Sequence, residues 1–267
     1  MALRSWSIAL LCLTLPGCMS GYAAPAPVAP LLTGKGDVVV GANVRPAYPR
    51  REASVSVAAA PTESTRVYVA GSRTNARWDD VGDNLGRGLK EGNRTTEAEA
   101  GGGWGMALTH LRVEVLGAVG YGKAQTTQCG KRDWLENYDS CPVLVQAQGH
   151  FVRTSVQAQA PAHFARWTGG GGARIALVQF HYDQVLGQAG PLTASIPTLE
   201  PFIVQRLELP YGSLQLMIHI PIVPYSPSVS LSGAEPSPSH ASTRLIETPW
   251  PRFFVGFQAN IDELWRK

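Results

Sequence analysis

The amino-acid sequence predicts an all-β protein, and more narrowly a single antiparallel, up-and-down β-barrel of about ten strands. Three observations support this prediction. Apolar and polar residues alternate with a period of two along most of the chain, no stretch combines helical periodicity with helix caps, and the connections between the alternating segments are short and long in turn. A period of two is that of an extended strand, whose successive side chains point to opposite faces.

Two segments show the alternation most clearly. In 214–222, leucines and isoleucines form one face, and Gln215 and His219 lie on the other. In 253–262, the face made of phenylalanine, valine, alanine and isoleucine is opposite Gln258. The segments predicted as strands are 37–46, 51–61, 65–76, 95–107, 111–125, 143–160, 171–185, 199–209, 212–224 and 252–264.

The lengths of the connections distinguish two all-β folds. Short connections at 61–65, 109–110 and 210–211 alternate with long ones, such as 77–94 and 126–142. An outer-membrane barrel has short turns at one end and long loops at the other, so it shows this alternation. A soluble β-sandwich with Greek-key crossovers does not require it. The alternation therefore favours the membrane barrel, with the sandwich as the alternative fold.

In a barrel that crosses a bilayer, the apolar face of each strand contacts lipid and the polar face lines the lumen. Because ten strands enclose a narrow lumen, we expect inward polar side chains to fill it with paired charges and hydrogen bonds, leaving no open pore. The side chains expected inside are Glu97, Glu99, Arg112, Glu114, Gln215, His219, Gln258 and Asn260. Aromatic residues near segment ends are expected at the membrane interfaces, namely Trp104, Tyr121, Trp167, Tyr182, Tyr211, Tyr225, Trp250, Phe253 and Trp265.

Two segments fit this pattern poorly. Residues 173–181 and 202–208 carry apolar side chains on both faces over part of their length. Strands that are covered on both faces have this composition, which favours a soluble fold.

The N-terminus predicts export. Arg4 precedes an apolar run that ends at Leu15, and this run is shorter than the roughly 20 residues that cross a bilayer. The next residues, Leu15-Pro16-Gly17-Cys18, resemble the lipobox of bacterial lipoproteins, in which the cysteine is acylated and becomes the first residue after cleavage. The resemblance implies that Cys18 is the lipid site, and that Met19, which is not acidic, permits transfer to the outer membrane. The alternative is an ordinary cleaved signal with an incidental cysteine.

Three parts of the chain are therefore expected. Residues 1–17 are a lipoprotein signal peptide, residues 18–35 are a lipidated N-terminus and a flexible tether rich in alanine, proline and glycine, and residues 36–267 are the β-barrel domain.

The order of features along the whole chain resembles a known group. Cys18, the Pro-rich tether, the sequence Pro30-Leu31-Leu32-Thr33-Gly34-Lys35-Gly36-Asp37 and the final strand 253–260 resemble small outer-membrane β-barrel-like lipoproteins of bacteroidete-type bacteria. That group mostly lacks an assigned activity. The resemblance implies an outer-membrane, lipid-anchored barrel.

Two cysteines remain after Cys12 leaves with the signal and Cys18 is assigned to the lipid. Cys129 and Cys141 flank one long connection, and export places them in an oxidising compartment, so we expect them to form a disulfide. Such a bond stabilises by roughly 3 kcal/mol. A metal pair is the alternative, although no nearby cysteine or histidine completes a four-ligand set.

Nothing in the sequence predicts an active site, a cofactor or a metal. A net charge of +3 gives no electrostatic reason to expect nucleic acid. His150, His181 and His219 lie within strand segments, but no motif brings serine, histidine and an acid together. The glycine runs precede no helix, so they are not phosphate-binding loops.

The partners predicted are outer-membrane lipids, through acylated Cys18 and the apolar barrel face, and the sequence identifies no protein partner. The predicted role is structural or one of surface interaction, without catalysis. Two alternatives remain: a soluble periplasmic β-sandwich or closed-barrel binding lipoprotein held only by its acyl anchor, and an envelope hydrolase or acyltransferase of barrel type.

Overall fold

Ten strands form one closed antiparallel barrel, as the sequence predicted. The structure is a computed structural model that describes residues 20–22, 25–28, 32, 34–45, 50–78, 89–107, 112–130, 143–164, 167–185, 192–209, 212–222, 228–230, 242–246 and 251–261. The barrel strands are β1 (Val38–Arg45), β2 (Arg50–Ala59), β3 (Thr65–Trp78), β4 (Leu89–Ala107), β5 (Arg112–Gly130), β6 (Val143–Phe164), β7 (Trp167–Val185), β8 (Leu192–Leu209), β9 (Gly212–His219) and β10 (Arg252–Asn260).

The strands follow one another around the barrel in chain order, and β10 pairs with β1 to close it. At this seam Val255 lies opposite Val44, and Gln258 lies opposite Gly41. Closure leaves the sheet without an exposed edge, so backbone donors and acceptors are paired between neighbouring strands. The fold class is confirmed, and the β-sandwich alternative is wrong because a single sheet closes on itself.

Consecutive connections lie at opposite ends of the barrel because neighbouring strands are antiparallel. The short connections 60–64, 108–111, 165–166 and 210–211 share one end, which we call the short-turn end. The connections 46–49, 79–88, 131–142, 186–191 and 220–251 share the other, which we call the long-loop end.

A small second sheet lies at the long-loop end. Its central strand Ser242–Ile246 pairs antiparallel with Ser228–Ser230 and parallel with the N-terminal strand Ser20–Tyr22. Two of these three strands belong to the connection between β9 and β10, and this connection places the sheet.

The barrel carries its apolar side chains outside. Leu216, Ile218, Val255 and Phe257 expose 37–49% of their surface on the outer wall, and Ile175 exposes 64%. The residues between them are buried, so β9 reads buried and exposed in strict alternation from Ser213 onward. This arrangement is the inverse of a water-soluble barrel with an apolar interior.

The polar side chains expected inside lie there. Glu97, Glu99, Glu114, Gln215, His219 and Gln258 are buried, and the Arg112 side chain is 11% exposed. The side chain of Asn260 lies outside the description.

The aromatic residues divide between the two faces. Trp104, Tyr121, Trp167 and Phe253 are half or more exposed on the outer wall, as expected. The expectation was wrong for Tyr182, which is buried and stacks against Phe180 at a ring distance of 5.7 Å. Tyr182 is two residues beyond Phe180, so both side chains share the inward face. Tyr211, Tyr225, Trp250 and Trp265 lie outside the described residues.

Candidate functional site: a lumen closed by the N-terminal segment

The chain reverses direction just before β1, in a turn at residues 34–37. The Gly34 amide donates a hydrogen bond to Asp37 Oδ2 at 2.8 Å, and Gly36 has a φ of 88°, in the left-handed region that favours glycine. The Gly36 amide also donates to the Ala60 carbonyl at 2.8 Å, which ties the turn to the end of β2. Because of this reversal, the residues that precede the turn run back into the barrel.

Residues 25–28 lie inside the lumen. Pro25, Ala26 and Pro27 are buried, and Val28 is half-buried. Ala26 packs in a cluster with Phe202, Val204, Met217 and Phe254, which project inward from β8, β9 and β10. These contacts explain why segment 202–208 carries apolar residues on both faces: one face points out of the barrel and the other packs against the N-terminal segment.

Leu32 anchors the same segment nearer the short-turn end. It is 1% exposed and packs with Val39, Ala58, Ala60, Tyr68 and Leu116, and Val28 packs against this cluster. We expected residues 18–35 to be a flexible tether, whereas residues 25–28 and Leu32 are held inside the barrel. The difference arises because inward apolar side chains of the strands provide a surface that its small and branched residues can bury against.

Three hydrogen bonds fix the backbone of the lumen segment. Arg174 Nη2 donates to the Pro25 carbonyl at 2.7 Å, Gln157 Nε2 donates to the Val28 carbonyl at 2.9 Å, and the Ala26 amide donates to Glu52 Oε1 at 3.2 Å. Proline has no backbone N–H, so the two prolines leave fewer donors that need a partner in a closed space.

Charged side chains of both signs fill much of the remaining lumen. Among the described residues, five arginines and five glutamates are buried, namely Arg66, Arg153, Arg174, Arg206 and Arg252, and Glu52, Glu97, Glu99, Glu114 and Glu200, and the Arg112 side chain beside Glu114 is 11% exposed. A buried charge without a partner is costly, so charges of both signs are needed where the lumen is closed.

The central network links Arg153 and Arg174 to three glutamates. Arg153 Nε lies 2.8 Å from Glu97 Oε1, and Arg153 also pairs with Glu99. Arg174 Nε donates to Glu200 Oε2 at 2.7 Å. Arg174 also joins the charge network to the N-terminal segment, because its Nη2 donates to the Pro25 carbonyl.

A second network lies toward the short-turn end. Arg66 Nε donates to Glu114 Oε1 at 3.2 Å, Gln159 Nε2 donates to Glu114 Oε2 at 2.6 Å, and Arg112 Nε lies 3.1 Å from Glu114. Gln157 bridges this network to the Val28 carbonyl, because its Nε2 also donates to Gln159 at 2.9 Å. Both networks therefore contact the N-terminal segment.

The space that remains beside the segment is small. A cavity of about 20 Å³ lies against residues 25–28, Glu97, Glu99 and Arg153. This volume holds about one water molecule.

The N-terminal segment passes from one end of the barrel to the other. It begins its course inward at the turn 34–37 beside Ala60, at the short-turn end. It ends in Ser20–Tyr22, where Ser20 lies opposite Arg244 and Tyr22 opposite Ile246 in the small sheet at the long-loop end. Cys18, the predicted lipid site, lies outside the described residues, two positions before Ser20.

Inward glycines make room for these side chains. A Cβ on Gly120 would lie 2.4 Å from Glu97 Oε1, and one on Gly101 would lie 2.6 Å from the Tyr68 ring. On the outward-facing Gly117, by contrast, the nearest atoms would be 4.0 Å away. Close approach of a neighbouring side chain therefore explains part of the glycine content.

The three strand histidines separate into two environments. His219 is buried, with Nε2 3.5 Å from Glu200 Oε2. His150 and His181 lie on the outer wall, each with a ring nitrogen 3.7 Å from an Asp183 carboxylate oxygen. Among the described residues, no serine or threonine hydroxyl is hydrogen-bonded to any of these histidines, so no activated nucleophile is formed there.

The cysteine prediction falls partly outside the description. Cys129 ends the part of β5 that pairs with β6, where its backbone lies opposite Val143. Cys141 lies outside the described residues, so the disulfide stays a prediction. The part of the chain that the structure describes contains no group of three histidine, cysteine or carboxylate residues that could hold a metal.

The sequence did not predict the lumen segment or the arginines that hold it. Arg66, Arg153 and Arg174 are completely or almost completely buried, and none was singled out. One signal was present: the inward apolar residues Phe202 and Val204 of segment 202–208 needed a partner inside the barrel, and Ala26 of the N-terminal segment supplies it. In segment 173–181, inward Phe180 packs instead with Phe151 and Tyr182.

No protein-family model matches the chain, and no curated protein matches it. The residues that the structure describes contain no helix long and apolar enough to cross a membrane. Among solved structures, the chain is similar to the translocator domain of autotransporter NalP from Neisseria meningitidis, with a TM-score of 0.42, 13% identity, and coverage of 85% of this chain and 89% of that one. It is also similar to BauA, the ferric preacinetobactin receptor from Acinetobacter baumannii, with a TM-score of 0.32, 10% identity, and coverage of 73% of this chain and 40% of that one. At these identities and TM-scores, neither likeness identifies a family or an activity.

Proposed function

We propose that this chain is an integral outer-membrane β-barrel that its own N-terminal segment closes, with a structural or surface-interaction role and without catalytic activity. The single observation that carries the proposal is the inversion of its faces: exposed apolar side chains cover most of the outer wall, and buried arginine–glutamate networks occupy the lumen. An outer wall of valine, leucine, isoleucine and phenylalanine is unfavourable in water and favourable in hydrocarbon.

The orientation follows from the two ends of the barrel. Bacterial outer-membrane barrels place short turns in the periplasm and longer loops outside the cell. On this basis the turn at 34–37 faces the periplasm, and the small sheet that contains Ser20–Tyr22 faces outward. The surface available for interaction is then the small sheet together with the long connections.

The lipid anchor is the second part of the proposal. The lipobox-like sequence supports acylation of Cys18, and the acyl chains would tie the N-terminus to a membrane leaflet. Ser20 follows Cys18 by two residues and belongs to the small sheet, so we infer that a lipid on Cys18 would lie on the same side as the surface loops.

Membrane fractionation tests the barrel against the alternative of a soluble closed barrel held only by lipid. Changing Cys18 to Ser should leave the protein in the membrane fraction, since the barrel wall itself contacts lipid. Release of the Cys18→Ser variant into the soluble periplasmic fraction would refute the proposal. Heat-modifiable migration in gel electrophoresis provides a check that the barrel has folded in both proteins.

Conductance tests the closed lumen. The wild-type protein in a planar bilayer should be silent, because the N-terminal segment and the charge networks fill the lumen. Ala26→Asp places a carboxylate against Phe202, Val204 and Met217 and should displace the segment, so that ion conductance becomes measurable. Lys35→Asp, at the exposed turn, is the control and should remain silent. Open channels in the wild type would contradict a closed lumen.

A further inference from the structure

Above the apolar part of the outer wall, toward the long-loop end, the strands carry a group of exposed cations. Arg51, Arg73, Arg94 and Lys123 lie on β2, β3, β4 and β5 with outward, exposed side chains. We name these four residues the basic belt. On β3 and β5, which run toward the long-loop end, a belt residue comes four positions after an exposed valine. Arg73 follows Val69 and Lys123 follows Val119, and these valines are 56% and 58% exposed.

The pairing register arranges the belt in two rows. In one row Arg73 lies opposite Thr96, and Thr96 lies opposite Lys123. In the next row Arg51 lies opposite Asn75, and Asn75 lies opposite Arg94. Each row therefore places a hydroxyl or amide between two cations, whose Cα atoms are about 10 Å apart given the spacing of neighbouring strands.

The geometry brings three cations around one hydroxyl. Thr96 has Arg73 and Lys123 on the neighbouring strands and Arg94 two residues away on the same face of β4. Arginine and lysine side chains are long enough to converge over Thr96 from these positions. Three cations and a hydroxyl donor are a suitable set for a phosphate group, which accepts charge-assisted hydrogen bonds.

The belt cations lack the partners that arginine has elsewhere in this barrel. Arg51, Arg73, Arg94 and Lys123 form no ion pair with any residue that the structure describes, whereas Arg66, Arg153 and Arg174 in the lumen each contact a glutamate. Within the described parts of β2 to β7, Asp183 is the one exposed outward carboxylate, and it lies beside His150 and His181. The belt thus carries a net positive charge that an external anion can neutralise.

We propose that the basic belt binds the phosphate groups of lipid headgroups in the outer monolayer of the membrane. This inference rests on the proposed function, since the wall must stand in a bilayer with its long-loop end outward. At that depth the first polar groups beyond the acyl chains are headgroups, and their phosphates carry negative charge that the belt complements. The occupant is therefore a phosphorylated lipid, with its acyl chains along the apolar wall and its phosphate over Thr96.

The test compares lipids that differ in phosphate alone. The purified full-length protein is inserted into vesicles of digalactosyldiacylglycerol, a lipid without phosphate, that contain lipid A, enzymatically dephosphorylated lipid A, or neither, and retained lipid is counted by native mass spectrometry. We expect retention of lipid A and at least about tenfold less of the dephosphorylated form, because the charge-assisted bonds are lost. Equal retention of the two forms would overturn the inference.

Variants assign the effect to the belt. The triple variant Arg73→Gln, Arg94→Gln, Lys123→Gln should lower lipid A retention by at least about tenfold. Two single variants form a matched comparison. Lys123→Gln removes one charge from the belt, and the control Lys35→Gln removes one lysine charge at the short-turn end and should leave retention unchanged. Unchanged retention in the triple variant would refute the site. Complete displacement of lipid A by millimolar inorganic phosphate would show that the belt recognises free phosphate and not a lipid.

The two proposals fail in different ways. If the wild-type protein does not enter the vesicles or lacks heat-modifiable migration, the membrane barrel is wrong. If it enters them fully and binds lipid without regard to phosphate, the barrel stands and only the belt inference is wrong.

Discussion

Arginine occurs on both faces of the same barrel wall, under opposite conditions. In the lumen, Arg174 is buried, donates to Glu200 and holds the Pro25 carbonyl. On the outer wall, Arg73 and Arg94 are exposed and form no ion pair with a described residue. Buried arginine must be paired within the protein because nothing else can compensate its charge there, whereas the exposed arginines can bind a partner outside the protein.

The lumen arginines stabilise the closed barrel, whereas the basic belt faces the medium outside the wall. The lumen charges are of both signs, and they contact each other and the N-terminal segment. The belt charges share one sign and lie where the wall meets headgroups. Substitutions on the two faces should therefore differ in size and in the property they change.

The largest effect is expected for Arg174→Met. It leaves Glu200 buried without its main cation and the Pro25 carbonyl without its donor, which should lower the free energy of unfolding by about 3–5 kcal/mol. Urea unfolding in vesicles, followed by tryptophan fluorescence, measures the change. The double variant Arg174→Met, Glu200→Gln should recover part of the loss, and a single variant within about 1 kcal/mol of the wild type would contradict the network's role.

A somewhat smaller loss is expected for a charge on the outer wall. Ile203 is 57% exposed on the apolar part of β8, and Ile203→Arg should destabilise the barrel in a bilayer by about 2–4 kcal/mol. Gln125→Arg, which lies outward at the level of the belt, is the control and should cost at most about 1 kcal/mol. An outer wall that faces water would tolerate both substitutions equally.

Glycine substitutions compare the two faces of a single strand. Gly120→Ala forces a Cβ to within 2.4 Å of Glu97 Oε1, so the Glu97–Arg153 pair must shift, at a cost of about 1–3 kcal/mol. Gly117→Ala, three residues away on the outward face, meets nothing closer than 4.0 Å and should be neutral or slightly stabilising. Thermal unfolding of the two variants in the same detergent gives the difference, and equal midpoints would argue against close packing in the lumen.

The smallest effect on stability is expected in the belt. Lys123→Gln should change the free energy of unfolding by less than about 0.5 kcal/mol in vesicles without charged lipid, because Lys123 forms no ion pair with a described residue. The same urea titration used for Arg174→Met checks this. A loss of several kcal/mol would show that Lys123 takes part in the fold and would weaken its assignment to an external ligand.

The strands and their facing were predictable because a period of two is a local property of sequence. Residues such as Leu216 and Met217 show opposite exposure simply because they are neighbours in a strand. The alternation of short and long connections predicted the meander for a similar reason. Closure then followed from the need to pair every backbone group.

The lumen segment was not predictable in the same way. Residues 25–28 have the composition of a linker, and their burial depends on inward side chains that come from β8, β9 and β10, far along the chain. Cross-strand register likewise creates the belt: Arg73, Thr96 and Lys123 lie on three strands, far apart in sequence, and become neighbours only through pairing. Tyr182 was assigned to a membrane interface because it lies near a segment end. It points inward because side chains alternate along a strand and Phe180, two residues earlier, points inward.

Lipid contact along β9 and β10 is the most direct measurement of the inverted barrel. The wild-type protein is inserted into vesicles that contain a lipid with a photoreactive acyl chain, irradiated, digested and sequenced by mass spectrometry. Label should fall on Leu214, Leu216 and Ile218 and on Val255 and Phe257, and should be missing from Met217 and Phe254 between them. Label confined to the N-terminal peptide, or spread without alternation, would contradict a barrel whose outer wall contacts hydrocarbon.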